Sequence, residues 1–425
     1  MFSRLVTRLE DVSAVQDGSG NHLPTLVTIT FRLCSSLLKY KSSKYDHPLS
    51  RFIASRAVSS KVRDFNEELG HFSDFSGTEY DVGPRVTWEE QWREDRLSQQ
   101  EAFQDLLCDD SVLIHGFADS EQHAEILFQL QYELRTCEAE GDFGMCTQIQ
   151  DIMDRLVVLV NLKPPVVPEW FISSDDVDFH ERNTVDSYRT KYRGTWKKAN
   201  VMVALSGLKQ RDFEIRATQW FSLRHPNVAS LYGACHIANP PFFVYKYDPN
   251  ETSLDDFVKD EANRDLVWKK LHESALGISY LHQRQVAHGN LECRNIVISR
   301  NGQTKVGGFE VTGPYRPWES PEQLRSEVAT SPASDIFSFG ICIIEEASGR
   351  NKAYTAFEHF RDGIIPKPVP SLSREQWDLV VKMCAYEPQD RVDIAYVVNQ
   401  LKIFAMECEN TSRAFDDEAN ACSAE

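Results

Sequence analysis

The densest run of side chains able to do chemistry lies in one stretch, His288 to Glu310, written HGNLECRNIVISRNGQTKVGGFE. His288, Asn290, Glu292 and Asn295 follow one another within it, and Gly308 stands just ahead of Phe309. Asn290 and Asn295 carry carboxamides, which donate and accept hydrogen bonds but cannot take up a proton as a general base. Asn295 without companion carboxylates is also a poor magnesium site, because that ion needs hard, charged oxygens. The two amides can hold a geometry, but neither can take up a proton, and Asn295 by itself is a weak hold on a metal-bound phosphate.

Ordered signals on both sides indicate what positions these residues. Upstream come Gly194-Thr195-Trp196, Val201-Met202-Val203, Leu223 to Val228, Leu231 to Cys235, Pro241 to Tyr247 and Ala275 to His282. Downstream come Trp318-Glu319-Ser320-Pro321-Glu322 and Ser334 to Gly340. In this order they resemble the small-lobe strands, helix C turn, hinge, helix E, A-P-E motif and helix F of a protein kinase. The central stretch resembles the kinase H-R-D-L-x-x-x-N and D-F-G loops. The G-A-C-H, H-G-x-L-x-C and S-F-G segments look most like the tyrosine-kinase-like (TKL) group of serine/threonine kinases. The fold class implied is α+β, a bilobal protein-kinase-like fold.

What the resemblance implies for chemistry is a series of losses. Asn290 takes the place of the catalytic aspartate, Gly308 that of the metal-binding aspartate, and Gly289 that of the catalytic-loop arginine. Glu292 stands where a lysine would stabilise the transferred phosphate, and it would repel it instead. Aligning Trp196 with the second strand puts Ala204 at the phosphate-gripping lysine; shifting the frame puts Ser206 there, equally uncharged. The helix C glutamate falls on Arg216. The glycine-rich loop is replaced by Val185 to Arg193, without a glycine, so Tyr188 and Tyr192 would block backbone approach to phosphate. About a dozen residues separate Phe309 from Glu322, too few for an ordinary activation segment. A degenerate nucleotide cleft would be lined by Gly194, Val203, Ala204, Tyr245, Tyr247 and Asn295.

The packing skeleton, by the same resemblance, is kept. His288, Phe309, Trp220 and Leu231 match the four side chains stacked between the lobes of a closed kinase. Glu322 and Arg391 match the large-lobe ion pair, Asp335 matches the helix F aspartate that bonds the catalytic-loop backbone, and Tyr245 is a large gatekeeper.

Composition bounds the rest. In 425 residues, 46 Lys and Arg face 64 Asp and Glu, a net charge of -18 that argues against generic nucleic-acid or acidic-membrane binding. The 10 Cys are scattered without zinc spacing, so reduced and mostly buried thiols, and a cytoplasmic setting, are expected. No signal peptide is expected at the start, where Arg4 and Arg8 interrupt the first turns. Leu23 to Leu38 is too short and polar to span a bilayer and reads as a buried helix.

Residues 1-162 carry helical stripes and are expected to form an all-α regulatory bundle. The stripes are Leu5, Leu9 and Val12; Val58, Val62, Phe65 and Leu69; Ile126, Leu127, Leu130 and Leu134; and Met145 to Val160. His71 to Arg85 reads as a loop within it. A Pro-rich linker follows at 163-184, with Trp170 and Phe171 expected to pack on the small lobe and Asp175, Asp176, Asp178 and Glu181 on the surface. The kinase-like domain spans 185-404, with a small lobe at 185-247 and a large lobe at 248-404. An acidic tail, 405-425, is expected to be disordered.

Lost charges beside retained packing point to a catalytically inactive pseudokinase, a regulator or scaffold that binds a protein, in family terms a related active kinase or its substrate. It requires no cofactor and no metal, and leaves weak ATP binding without magnesium open. The competing expectation is an ATP-dependent serine/threonine kinase working through displaced groups such as Lys191, Lys209, Asn295 and Glu310.

Overall fold

The computed structural model describes residues 23-75, 87-117, 119-183, 191-309, 318-326 and 330-422. The chain divides into two compact units, Met1–His180 and Glu181–Glu425. The stripe at Leu5, Leu9 and Val12 lies outside the described residues.

The first unit is helical: α1 (Leu23–Lys39), α2 (Pro48–Phe75), α3 (Trp88–Leu107), α4 (Asp110–Ile114), α5 (Ser120–Glu140) and α6 (Phe143–Val160). Local chemistry sets several boundaries. Thr87 and Glu90 exchange hydrogen bonds of 3.3 and 3.0 Å in a capping box that starts α3. Asp119 caps α5, and Gly141 ends it in the left-handed region at φ 76°. The stripes of α5 and α6 meet: Leu127, Leu130, Ile149 and Leu156 are fully buried, with Phe52 and Leu49 of α2 completing one core. Two local expectations change. Among the described side chains of α1, Ile29 and Leu33 are buried while Val27, Phe31 and Leu38 are exposed, so it is an amphipathic helix and not a fully buried one. The expected loop from His71 begins as helix, since α2 continues to Phe75; residues 76-86 lie outside the described ones.

The segment after α6 is built into this unit. Phe171 meets Phe128 and Tyr132 edge-on at centroid distances of 4.6 and 5.0 Å, so the aromatic anchor packs on α5 where a small-lobe contact was expected. Asp175, Asp176 and Asp178 behind it are not the expected surface run, and the Glu181 side chain lies outside the described ones. Asp175 is buried, accepts from the Tyr45 hydroxyl, and has Lys44 at 3.3 Å and Lys39 at 3.9 Å. Asp176 takes Arg56 at 2.7 Å and the Tyr132 hydroxyl at 2.6 Å, and Lys61 pairs with Asp178. Burial alone would push the Asp175 carboxyl up, but Lys44, Lys39 and the Tyr45 hydroxyl hold it below the ordinary carboxylate range. A short run dense in negative charge reads as solvated until the cations that meet it, more than a hundred residues away, are known.

Two sheets follow. β1 (Val177–Asn183), which begins in the first unit and ends in the second, β2 (Lys191–Trp196) and β3 (Ala199–Leu205) precede helix α7 (Gln210–Ser222), followed by β4 (Leu231–Cys235) and β5 (Phe242–Lys246), in the sheet order β1-β2-β3-β5-β4. Then come β6 (Thr252–Ser253), α8 (Leu254–Phe257), α9 (Val267–Gln283), β7 (Ile296–Ile298) and β8 (Thr304–Val306), with β6, β7 and β8 forming the second sheet. Helices α10 (Pro321–Ser326), α11 (Pro332–Ser348), α12 (Arg350–Arg361), α13 (Arg374–Met383) and α14 (Ile394–Cys422) finish the unit. Its core is the apolar run of α11, with Phe337, Phe339, Ile341 and Ile344 fully buried against α9, α12, α13 and α14. This is a kinase-type arrangement, a sheet-rich small lobe and a helical large lobe, behind a helical N-terminal region. The expected disordered tail is corrected: α14 runs on to Cys422. Nothing between Phe404 and Cys422 is Gly or Pro, and the run is rich in Ala and Glu, so propagating an established helix costs little per residue. Among the described residues no helix is long and apolar enough to cross a membrane.

Candidate functional site

The central stretch is held from beneath by Asp335 on α11. Its carboxylate accepts the backbone N–H of His288 at 2.7 Å and of Gly289 at 2.8 Å, and lies 2.9 Å from the His282 ring. His288 is fully buried with its Nε2 2.7 Å from the Gly307 carbonyl, a packed and satisfied ring. A column rises from it: His288 to Phe309 at 4.5 Å, Phe309 to Trp220 at 5.1 Å, and Trp220 to Tyr245 at 5.4 Å between centroids. Leu231, directly across the strand pair from Tyr245, is buried at its top. The structure also brings Glu322 and Arg391 together in a two-pronged pair at 2.8 and 2.7 Å. Burial would raise the Glu322 carboxyl, but the Arg391 hydrogen bonds pull it below the usual range.

Beside the lower end of that column, next to His288 and Phe309, the polar groups bond to one another. Asn290 donates through Nδ2 to the Gly308 carbonyl at 2.8 Å, a bond an aspartate could not donate when ionised. Asn295 donates to the Asn290 carbonyl at 2.7 Å and to the Glu292 carboxylate at 3.2 Å. Gly308 has φ +80°, and a Cβ built there would lie 2.3 Å from Asn295 Cγ. The Asn295 side chain therefore fills the space that a side chain at position 308 would enter. Glu292 is buried and sits 2.9 Å from Arg294 and 3.7 Å from Arg350, so its charge is turned to those cations.

In the small lobe Ala204 and Val203 are wholly buried. The register pairs Ala204 with Lys191 on β2, so a cation stands directly across the strand pair from the position expected to lack one. Lys191 lies 5.8 Å from the Tyr245 ring. Lys209 sits exposed at the start of α7 and does not join this group. Ser206, the other reading of the lysine position, is buried and accepts the Leu208 N–H at 3.2 Å. Arg216 of α7 donates to the backbone carbonyls of Ala287 at 3.1 Å and His288 at 3.3 Å. It fastens the helix to the loop below, a role the sequence did not reveal because it depends on where the loop carbonyls point. Glu310, Thr312, Tyr315 and Val185 to Thr190 lie outside the described residues.

The second unit has a cavity of about 330 Å³. Tyr245 and Asn295 line it together with Lys191 and Gly308, while Gly194, Val203, Ala204 and Tyr247 are not among its lining residues. This hollow lies between the turn before β4, strands β4 and β5, and the β7–β8 hairpin. Val203 and Ala204 are sealed into the sheet, while Tyr247 carries the Arg193 guanidinium 5.1 Å from its ring.

One side-chain cluster could not be seen in sequence. The Cys293, Cys342 and Glu345 ligand-type atoms lie within 4.8 Å of one another in the large-lobe core. Glu345 is already engaged by Trp318 at 3.2 Å and Arg350 at 2.9 Å, and burial pushes both thiols up, so these are packed and unreactive groups. Beside them both Glu346 oxygens are enclosed, and burial pushes that carboxyl up to about 7. Because the folded state then holds the proton more tightly than the unfolded one, Glu346 contributes stability below pH ~4.5 that is lost as pH rises through about 7. Glu346→Gln should remove this loss. Urea denaturation at pH 5 and pH 8 should show wild type falling relative to the variant by roughly 2–4 kcal/mol; parallel pH profiles would refute it.

Comparison with known proteins agrees with this geometry. The family described as protein tyrosine and serine/threonine kinase matches residues 187–401. Dual specificity protein kinase pyk3 of Dictyostelium discoideum is 25% identical over 54% of this chain and 19% of its own length. Mitogen-activated protein kinase kinase kinase zak-1 of Caenorhabditis elegans is 23% identical over 55% of this chain and 36% of its own. Serine/threonine-protein kinase STY46 of Arabidopsis thaliana is 25% identical over 56% of this chain and 46% of its own. The chain thus spans less than half the length of each of these relatives. With the two-lobed fold, the aromatic column and the Asp335 support already in place, the match over half its residues makes this chain a member of the protein tyrosine and serine/threonine kinase family.

Proposed function

We propose that this kinase-fold protein is a pseudokinase of the tyrosine-kinase-like group that works in the cytoplasm as a regulator or scaffold by binding another protein, and not by moving phosphate. One observation carries the reading: Asn290, Asn295 and Gly308 form a closed set of amide hydrogen bonds where the base and the metal carboxylate would stand. Phosphoryl transfer depends on positioning and on charge placed against the phosphates, and the one carboxylate in this corner, Glu292, is taken up by Asn295, Arg294 and Arg350. The helical unit is read as the regulatory arm, and the partner as a related active kinase or its substrate. No cofactor is required for such a role.

A second reading, a kinase with displaced groups, is favoured by Lys191 standing across from Ala204. Incubating the full chain with radiolabelled ATP and magnesium or manganese separates the two. No label should appear on the chain or on a generic peptide above that of a Lys191→Ala, Asn295→Ala double variant. Transfer that the double variant abolishes would establish the second reading.

A further inference from the structure

The turn after α7 and the end of α9 bring two exposed arginines, Arg224 and Arg284, to one surface of the kinase unit, with Tyr280 of α9 between them. The Tyr280 hydroxyl accepts the Arg224 backbone N–H at 2.8 Å. The His225 ring stacks on the Tyr280 ring at 4.8 Å between centroids, and the Arg284 guanidinium lies 3.8 Å from the centre of that ring. Arg224 is fixed as well, donating through Nη1 to the Phe221 carbonyl at 2.6 Å and the Leu223 carbonyl at 2.7 Å. A cation is favoured at the end of a helix, which accounts for where both stand but not for what is missing around them.

What is missing is negative charge. The chain has 64 Asp and Glu against 46 Lys and Arg, yet neither arginine forms an ion pair among the described residues. The runs that build this surface are free of acids: no Asp or Glu occurs in Ile215 to Tyr247, in Ser274 to Leu291 or in Cys293 to Phe309. The carboxylates on the neighbouring elements are engaged elsewhere. Glu273, two turns before Tyr280 on the same face of α9, bonds Lys270 at 3.1 Å and Thr304 at 2.5 Å. Asp335, beyond His282, is buried on the His288 and Gly289 N–H groups, and Glu214 of α7 bonds Gln210 at 3.1 Å. Burial and then the charge of Arg284 push the His225 imidazolium down, with no carboxylate pulling it back.

We propose that this surface docks an acidic peptide segment of a partner protein, whose carboxylates are taken by Arg224 and Arg284. Guanidinium forks match carboxylates in two-pronged pairs, and side chains already held by a ring and by main-chain oxygens lose little freedom on binding. The net charge of -18 repels extended polyanions and anionic membranes, while a short acidic segment need meet only this patch. The inference does not rest on the loss of phosphate transfer: a transfer assay tests that function, and peptide binding tests this surface.

The experiment titrates the full chain into a fluorescein-labelled peptide of alternating Glu and Gly, and into its Gln and Gly counterpart, following fluorescence anisotropy at low salt. The acidic peptide should bind and the neutral one should not. Arg224→Gln and Arg284→Gln should each weaken binding roughly fivefold. Arg374→Gln, which removes the same charge from an exposed position on α13, should leave it unchanged. Phosphatidylserine vesicles offered in parallel should not bind. Equal affinity for the two peptides, affinity indifferent to both Arg224→Gln and Arg284→Gln, or vesicle binding in place of peptide binding would overturn the proposal. Arg284 rests on the surface of a ring, so its variant keeps the test valid if replacing Arg224 disturbs the end of α7.

Discussion

Returning aspartates to positions 290 and 308 should give a less stable protein and, on the proposed reading, no transfer of phosphate. At position 308 the cost has two parts. A non-glycine residue at φ +80° carries backbone strain of about 1–3 kcal/mol. A Cβ placed 2.3 Å from Asn295 Cγ must also displace a buried side chain bonded to Asn290 and Glu292, roughly another 1–3 kcal/mol. Asn290→Asp replaces an N–H donor with an oxygen facing the Gly308 carbonyl, which leaves that acceptor unmatched at about 1–3 kcal/mol. Urea denaturation should show Gly308→Asp losing more than Asn290→Asp. Adding Asn295→Ala to Gly308→Asp should recover the steric part and leave the strain. Transfer of phosphate by the double aspartate variant would show that the two side chains were all that activity lacked. Ala204 or Ser206, and Arg216, argue against that on the proposed reading, because the resemblance puts them at the two positions of the small-lobe ion pair.

The other large effect lies in the helical unit. Arg56 is nearly enclosed, bonded to Glu133 at 2.6 and 3.2 Å and to Asp176 at 2.7 Å. Arg56→Met removes the cation and leaves two carboxylates with little solvent, a loss of about 3–5 kcal/mol. For a unit of this size that corresponds to a drop in melting temperature on the order of 10 °C. The Arg56→Met, Glu133→Leu double variant should regain most of it, since a buried pair replaced by apolar groups of similar volume is often neutral. Thermal denaturation of the full chain followed by circular dichroism reads both. If the single variant melts within 2 °C of wild type, the buried charges are not holding the acidic segment.

The legible parts of this molecule were those encoded by periodicity and ordered motifs. The stripes from Ile126 to Leu134 and from Met145 to Leu156 are core because a helix presents one face at that spacing. Asp335 and the Glu322–Arg391 pair lie where motif order put them, because the large-lobe frame that brings them together is carried by apolar residues read directly. What stayed hidden depended on direction and distance. Asp175 and Asp176 looked solvated because Lys44, Arg56 and Tyr132 are remote in sequence. The tail looked disordered because its composition was polar, although nothing in it breaks a helix already begun. Val203 and Ala204 were placed in a cleft by alignment; they lie on opposite faces of β3 and both are fully buried.

Arg216 extends one further consequence. In a kinase whose helix C is held by a glutamate and a lysine, nucleotide charge helps decide where that helix rests. Here the guanidinium grips main-chain oxygens of Ala287 and His288, which are present whatever the cell's supply of ATP. On the proposed reading, the anchorage of this helix is made inside the chain itself and calls for no bound nucleotide.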